Sequence, residues 1–283
     1  MRRICFLSMD SLDGYVADDE LAVEPLAQLG FKVDTISWRN TTVNWNDYEA
    51  VIIRTPWDYQ RLPDEFLKVL ETIDRSSARL ENSLDIVRWN LDKRYLIDME
   101  SSGCRIVPTI WGAAYSAFEF DGWLEIFGVD ELIIKPTVSA TAEHTYRLTE
   151  YDSALASVFA NRSFMVQSFM PNIITEGEYS LFFFNGEYSH TINKSPKTSD
   201  FRVQEEHGGI ITEVEPDEKL RIAAQNALGK IGEPLLYARV DLVRDEYDNF
   251  VLMELELIEP ALYLRMSDGA PERFAAAIET LLK

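Results

Sequence analysis

YARVDLVRDEYDNFVLMELELIEP, residues 237–260, is the stretch on which the reading of this chain turns. Residues 251–258 alternate like a strand, with Leu252, Glu254, Glu256 and Ile258 on one face and Val251, Met253, Leu255 and Leu257 on the other. Residues 236–243 read as a second strand with Arg239 and Asp241 on one face, and the polar link RDEYDN predicts a hairpin. Pairing the polar faces gathers Asp241, Glu254 and Glu256 beside Arg239 in an otherwise apolar sheet. Three unpartnered carboxylates are costly there. A hard divalent cation removes the cost, and an all-oxygen set suits one or two Mg2+ ions, or Mn2+, shared with nucleotide phosphates. A solvated strand face on an acidic protein has the same pattern, so the rest of the chain decides.

The chain has 283 residues, 46% of them hydrophobic, enough for one large domain or two to three small ones. A net charge of −21 argues against nucleic acid and against an anionic membrane surface as partners. Cys5 and Cys104 are far apart and lack metal-ligand spacing, which points to a reducing cytoplasm and to buried thiols. The N-terminal MRRICFLSMD lacks the apolar core and cleavage site of a signal peptide, and no run approaches the ~20 apolar residues that span a bilayer. No internal repeat or low-complexity linker is visible.

From the N-terminus, residues 3–9 form an apolar strand, residues 10–19 a polar loop, and a helix through Ala22, Pro25, Leu26 and Leu29 stops at Gly30. Strands at 31–38 and 50–54 and a helix at 63–73 complete the rhythm of a small open α/β sheet. Such sheets bind ligands at the carboxyl ends of their strands. Those ends carry Ser8, Asp10 and the run RTPWDY, in which Arg54 can clamp a carboxylate and Trp57 can wall a pocket. Trp57 and Tyr59 can equally be loop packing. Asn90 is placed to cap a helix running to about residue 101, ended by Gly103, with Lys93 in its first turn, where a cation is unfavourable unless an anion lies nearby. CRIVPTIW then returns as a strand and closes a first unit at residue 111.

In the second unit, residues 112–172, the strand ELIIKP ends at Lys135, which points into a site. The following loop offers backbone N–H groups and the hydroxyls of Ser139, Thr141 and Thr145 to cover phosphates. After a helix around 151–159, the strand SFMVQSFM ends with Phe169 and Met170, a slot for a flat heterocycle. The third unit, residues 173–283, opens with NIITEGEYSLFFFNGEYSHTINK. Its Asn185-Gly186 pair matches a two-residue type I′ hairpin turn, which would set Glu178 opposite Asn193 and Ser180 opposite Thr191, with Lys194 closing the second strand.

The series Lys93, Ile134-Lys135-Pro136, Gln167-Ser168-Phe169-Met170-Pro171, Glu176-Gly177-Glu178, Phe201-Arg202-Val203-Gln204 with Gly208-Gly209, Val240-Asp241, and Glu254-Leu255-Glu256 with Pro260 resembles the ATP-grasp ligases, over residues 90–265. No element is specific alone; seven in one order at suitable intervals are. The ATP sites are similar to the bacterial glutathione synthetase branch, and the preceding α/β unit resembles that family's N-terminal domain. The resemblance implies an ATP-grasp fold, α/β with α+β subdomains, behind an N-terminal open α/β domain.

It further implies that Lys93 and Lys135 contact ATP phosphates under a loop with Ser139 and Thr141, that residues 167–170 (Gln167, Ser168, Phe169 and Met170) hold adenine, and that Glu178, with Glu176, meets the ribose hydroxyls. Lys194 is counted with these nucleotide contacts. Asp241, Glu254 and Glu256 would hold Mg2+, and Arg202, assisted by Arg239, would stabilise the transferring phosphoryl group. In the family a substrate carboxylate becomes an acyl phosphate, and an amine then displaces phosphate. That chemistry needs cations around the phosphoryl oxygens and a lid that excludes water.

Ser180 stands where glutathione synthetases carry arginine, Glu256 replaces their asparagine, and the loop after Lys135 has no glycine. The forms KPTVSATAEHTYRL and MELELIEPALYL are more similar to the cyclo-ligase branch that closes an ureido-serine to cycloserine. Candidate substrate contacts are Arg54, Trp57 and Asp58, and His207 with Gly208 and Gly209, whose backbone can approach a ligand closely. His207 can accept a proton from the amine or be a surface histidine. Tyr263 and Arg265 can line the same pocket. The expected function is ligation on a small amino-acid-like molecule; a peptide-tail ligase and a nonenzymatic ATP-binding module are the alternatives. The complete cation and carboxylate set counts against the last. The family's common dimers and tetramers make a homo-oligomer compatible with this reading.

Overall fold

The open α/β rhythm at the N-terminus becomes a parallel sheet in the computed structural model, which describes residues 1–140, 142–198 and 200–283. Strands β1 (Arg2–Ser8), β2 (Phe31–Ser37), β3 (Ala50–Thr55) and β4 (Arg79–Glu81) lie in the order β2-β1-β3-β4. Parallel neighbours need crossovers, supplied in part by α1 (Val23–Gln28) and α2 (Pro63–Asp74). The apolar runs of β1 and β3 are covered on both faces: Ile4, Phe6 and Ile52 pack with Leu26 and Phe274, while Leu7, Val51 and Ile53 pack with Trp38, Phe66 and Leu70.

The single helix expected from Asn90 to about residue 101 is two helices, α3 (Leu84–Asn90) and α4 (Tyr95–Ser101). Ser83 caps the first, its hydroxyl accepting the Ile86 N–H at 3.3 Å. Asn90 ends that helix instead of starting the next. Its amide donates to the Leu255 carbonyl (2.8 Å) and accepts from the Leu257 N–H (3.0 Å). Lys93 therefore sits in the turn between the helices.

A second, antiparallel sheet contains β5 (Thr109–Gly112), β6 (Leu132–Pro136), β7 (Tyr146–Leu148) and β8 (Phe164–Ser168) in the order β5-β8-β6-β7. Phe120 and Trp123 of α5 (Ala117–Phe127) cover it, joined by Phe159 of α6 (Ala156–Phe159). The run CRIVPTIW does not form one strand. Ile106 makes an isolated bridge to Leu252, Pro108 without an N–H divides the run, and Thr109–Gly112 joins this second sheet.

After a helical turn, α7 (Asn172–Thr175), where the first hairpin strand was expected to begin, come β9 (Glu178–Phe184), β10 (Glu187–Ser195) and β11 (Ile210–Glu213). Helix α8 (Glu218–Leu228), β12 (Tyr237–Arg244), β13 (Phe250–Glu256) and α9 (Ala270–Leu281) follow. The third sheet has the order β11-β10-β9-β12-β13. Asn185 (φ 50°) and Gly186 (φ 79°) form the expected turn. The expected register is wrong by one residue beyond it, because a bulge between Tyr188 and His190 adds a residue to β10. Glu178 therefore faces Lys194 rather than Asn193, and Ser180 faces Ile192 rather than Thr191.

The hairpin of residues 237–256 pairs as its alternation predicts, Arg239 opposite Glu256 and Asp241 opposite Glu254, with a bulge at Met253. One face of the third sheet packs Leu181, Val240 and Leu252 on α4 and α8. The opposite face is apolar at one end, where Phe182, Phe184 and Tyr237 meet α9, and charged at the other. Among the described residues no helix is long and apolar enough to cross a membrane.

Candidate active site

The charged end of the third sheet forms the floor of a cleft roofed by the second sheet, and residues of the first unit close one side. Asp241 is 3% exposed. Its carboxylate accepts from Ser180 (2.6 Å), Lys194 (3.2 Å) and Arg239 (2.9 Å). Burial opposes its charge, but Arg239 and Lys194 outweigh burial and hold it well below the usual carboxylate range. Lys194 also contacts Glu178 at 2.5 Å, the pair created by the β10 bulge. Burial pushes the Glu178 carboxyl up, against the pull of Lys194.

Glu254 and Glu256 project from β13 two residues apart. Lys93 lies 2.9 Å from Glu254 and, with Lys135, lowers its pKa against the opposing effect of burial. Glu256 is ion-paired with Arg239, yet burial, aided by the neighbouring Asp241 and Glu254, pushes it up to about 8. Mg2+ usually takes one or two carboxylates and completes its shell with water and phosphate oxygens, a demand these two side chains fit. Asp241, the third expected carboxylate, lies opposite Glu254 on the neighbouring strand and lines the same cleft, with Lys194 and Arg239 on its oxygens; Glu254 and Glu256 are the more exposed pair.

Lys93 is positioned by local bonds. Its N–H donates to the Thr137 carbonyl (2.8 Å), its ammonium donates to the Ser139 carbonyl (2.7 Å), and Thr137 donates to Asp92 (3.1 Å), so the loop after β6 is docked on the 91–94 turn. Lys135 is 8% exposed and has no ion pair among the described residues. Burial lowers its pKa, and Lys93 lowers it further. Two lysines in one sheltered cleft, Lys93 paired with Glu254 and Lys135 unpaired among the described residues, are suited to holding phosphate oxygens. Gln167, Ser168, Phe169 and Met170 line an apolar slot with Ile133 and Val107. Gln167 is tied to Thr109 (3.0 Å), the Phe169 N–H is committed to the Glu131 carbonyl (3.3 Å), and Arg147 covers the Phe169 ring at 3.8 Å. Arg202 reaches the cleft from the 201–209 loop, steadied by Asp200 at 2.9 Å.

Several expected contacts lie elsewhere. Glu176 is outside the cleft, accepting from Arg244 (2.9 Å) and Tyr179 (2.9 Å). Arg54 is 1% exposed and is no substrate clamp: it pairs with Asp19 (2.6 Å) and donates to the Pro260 carbonyl (2.6 Å). Asp58 is taken by Arg39 and by Trp38 Nε1 (2.8 Å). His207, Gly208 and Gly209 do not line the cleft. Gly209 is needed for self-packing, since a Cβ there would stand 2.0 Å from the Val203 carbonyl oxygen. Arg265 joins Asp18 (2.9 Å) to Glu205 (2.5 Å). Thr141 lies outside the described residues. Trp57, Ser139, Arg239 and Tyr263 do line the cleft. Sequence reasoning missed Glu259, a cleft carboxylate pushed up to about 7 by burial. The strand alternation ends at Ile258, and only the following Pro260 marks that the chain turns there.

Three layers with a cation-lined cleft between two antiparallel sheets define an ATP-grasp ligase. Residues 4–82 match the family model described as the D-cycloserine synthetase DcsG N-terminal domain. The cycloserine biosynthesis protein DcsG of Streptomyces lavendulae is 32% identical, the match covering 92% of each chain. The crystal structure of D-cycloserine synthetase DcsG superposes with a TM-score of 0.84 at 28% identity, covering 99% of this chain and 100% of that one. A D-alanine–D-alanine ligase from Bacillus anthracis (TM-score 0.70, 14% identity, 100% and 97% covered) shares the fold. So does the ATP-grasp ligase PsnB, solved with a minimal precursor, Mg and ADP (0.65, 12%, 98% of each chain). The chain belongs to the DcsG family of ATP-grasp ligases. It is an ADP-forming enzyme that joins carbon to nitrogen on a small molecule, using ATP and Mg2+.

Proposed function

We propose that the reaction is a ring closure on an amino-acid-like zwitterion that carries both its carboxylate and a nucleophilic nitrogen. A carboxylate oxygen attacks the γ-phosphorus of ATP and ADP leaves; the nitrogen then attacks the acyl carbon, phosphate leaves, and the nitrogen loses a proton. The observation that carries the phosphoryl-transfer half is the presence of buried Lys135, without an ion pair among the described residues, with Lys93, Glu254 and Glu256 in one cleft. Lys93 and Lys135 hold phosphate oxygens, residues 167–170 hold adenine, and Glu178 with Lys194 bounds the ribose side. Glu254 and Glu256 hold Mg2+, which when bound neutralises phosphate oxygens. Arg202 and Arg239 face the phosphoryl group in transfer. Asp241 keeps Arg239 and Lys194 in place.

The family relationship to DcsG, a cycloserine biosynthesis protein, supports ring closure over joining of two molecules. Both cysteines are free and buried, which is compatible with a reducing cytoplasm. The test is ADP and phosphate release from ATP and Mg2+ in the presence of ureido and hydroxylamine derivatives of amino acids. Release with one zwitterionic compound and no second amine is expected; a strict need for a second amine would exclude ring closure. Glu254→Gln is expected to lower release at least about 100-fold with an unchanged fold, and undiminished release would remove Glu254 from the metal site.

A further inference from the structure

Carboxylates lining the cleft are nearly all matched by cations. Glu178 and Asp241 share Lys194, Glu254 has Lys93, and Glu256 has Arg239. Glu206 is exposed and solvated. Glu259 is partly buried, lines the cleft, and has no ion pair among the described residues.

Its surroundings are built. The Glu259 carbonyl accepts from Trp57 Nε1 at 2.8 Å, and the next carbonyl, of Pro260, accepts from Arg54 at 2.6 Å, so the end of β3 and the loop after it fix the backbone on both sides of the Glu259–Pro260 bond. The Tyr59 hydroxyl faces the carboxylate and favours its charged form. Trp57 and Tyr59, 6% and 5% exposed, line the same corner. Lys93 and Arg239 act on this carboxylate only from beyond ion-pair distance, so beside aromatic rings its charge is penalised, and burial raises its pKa. An organic ammonium ion answers both features, pairing with the carboxylate while its apolar C–H groups rest in a corner bounded by the two aromatic side chains. A hard metal ion does not, since it needs a fuller oxygen shell than one carboxylate supplies.

We propose that Glu259, with Trp57 and Tyr59, binds the non-reacting ammonium group of the substrate and so selects an α-amino acid derivative. This rests on the small-molecule ring-closure reading above. With the ammonium held here, the attached carboxylate is directed toward the phosphoryl-transfer cations, and a substrate lacking the amine loses its anchor.

The experiment is calorimetric binding to the full chain saturated with Mg2+ and ADP, using O-ureido-serine and its desamino analogue as probes. Wild-type protein is expected to prefer the amine by at least about tenfold. Glu259→Gln is expected to abolish that preference while leaving MgATP affinity unchanged, which also reports that the variant is folded. Tyr59→Phe, which keeps the ring, is expected to weaken the preference a few-fold and serves if the first variant does not fold. Retention of the full preference in Glu259→Gln, or in Tyr59→Phe when it is the only folded variant, overturns the ammonium site and leaves the ring-closure reading standing. If the wild-type protein binds MgATP but neither probe, the amino-acid-like substrate and the site fall together.

Discussion

Replacing Lys194 by Met tests whether the charged floor of the cleft is one interdependent set. Lys194 is 3% exposed, 2.5 Å from Glu178 and 3.2 Å from Asp241. Methionine retains most of the stem and removes the charge. Asp241 keeps Arg239 and Ser180, but Glu178 has no other ion pair among the described residues and becomes a buried carboxylate without a cation. Breaking a buried pair from one side costs about 3–5 kcal/mol. Protonation of Glu178 limits that loss, because burial already raises its pKa and removal of Lys194 raises it further. A group whose folded pKa lies above its unfolded value stabilises fully below the unfolded pKa, and that contribution fades as pH rises through the folded pKa. The variant's deficit is therefore smaller near pH 5 than near pH 8. Urea midpoints followed by tryptophan fluorescence at both pH values measure it, with unchanged m-values as the control. Lys194→Met combined with Glu178→Gln should recover at least half of the loss. A deficit under about 1 kcal/mol at pH 8, the size of an exposed pair, or an equal deficit at both pH values, refutes the reasoning.

Glu176→Gln should leave the KM for ATP unchanged and lower stability by about 1 kcal/mol through its weakened bond to Arg244; a raised KM would return Glu176 to the ribose site. His190 is stacked on Phe182 at 4.3 Å, and burial lowers its pKa to about 4, so between the unfolded value of 6.5 and 4 the unfolded chain binds a proton that the folded chain refuses. Stability should fall by up to about 3 kcal/mol as pH drops through that window. His190→Phe should flatten this part of the urea-midpoint profile, and an unaltered slope would assign the pH dependence to other groups.

Local rules carried far in this chain. Period-two alternation was enough to place Arg239, Asp241, Glu254 and Glu256 on one face, because a hairpin with a short polar link has little choice of partner. Likewise Asn185-Gly186 specified its turn, and the apolar run before Lys135 delivered that lysine to the cleft. Asn90 was misread because its amide satisfies the backbone of β13, 165 residues away, and no local pattern records that bond. Arg54 was misread for the same reason, its partners being Asp19 and the Pro260 carbonyl.

Sequence by itself determined the Asn185-Gly186 turn, the hairpin of residues 237–256 and the charged residue types that share its face, since these follow from spacing along one strand or turn. Tertiary structure decided which charge pairs with which. One bulge in β10 moved Lys194 opposite Glu178, and separate layers brought Trp57 and Tyr59 to Glu259. A one-residue shift changes every partner on a strand, and a desolvated charge takes its energy from neighbours remote in sequence; both quantities exist only once the sheets are packed.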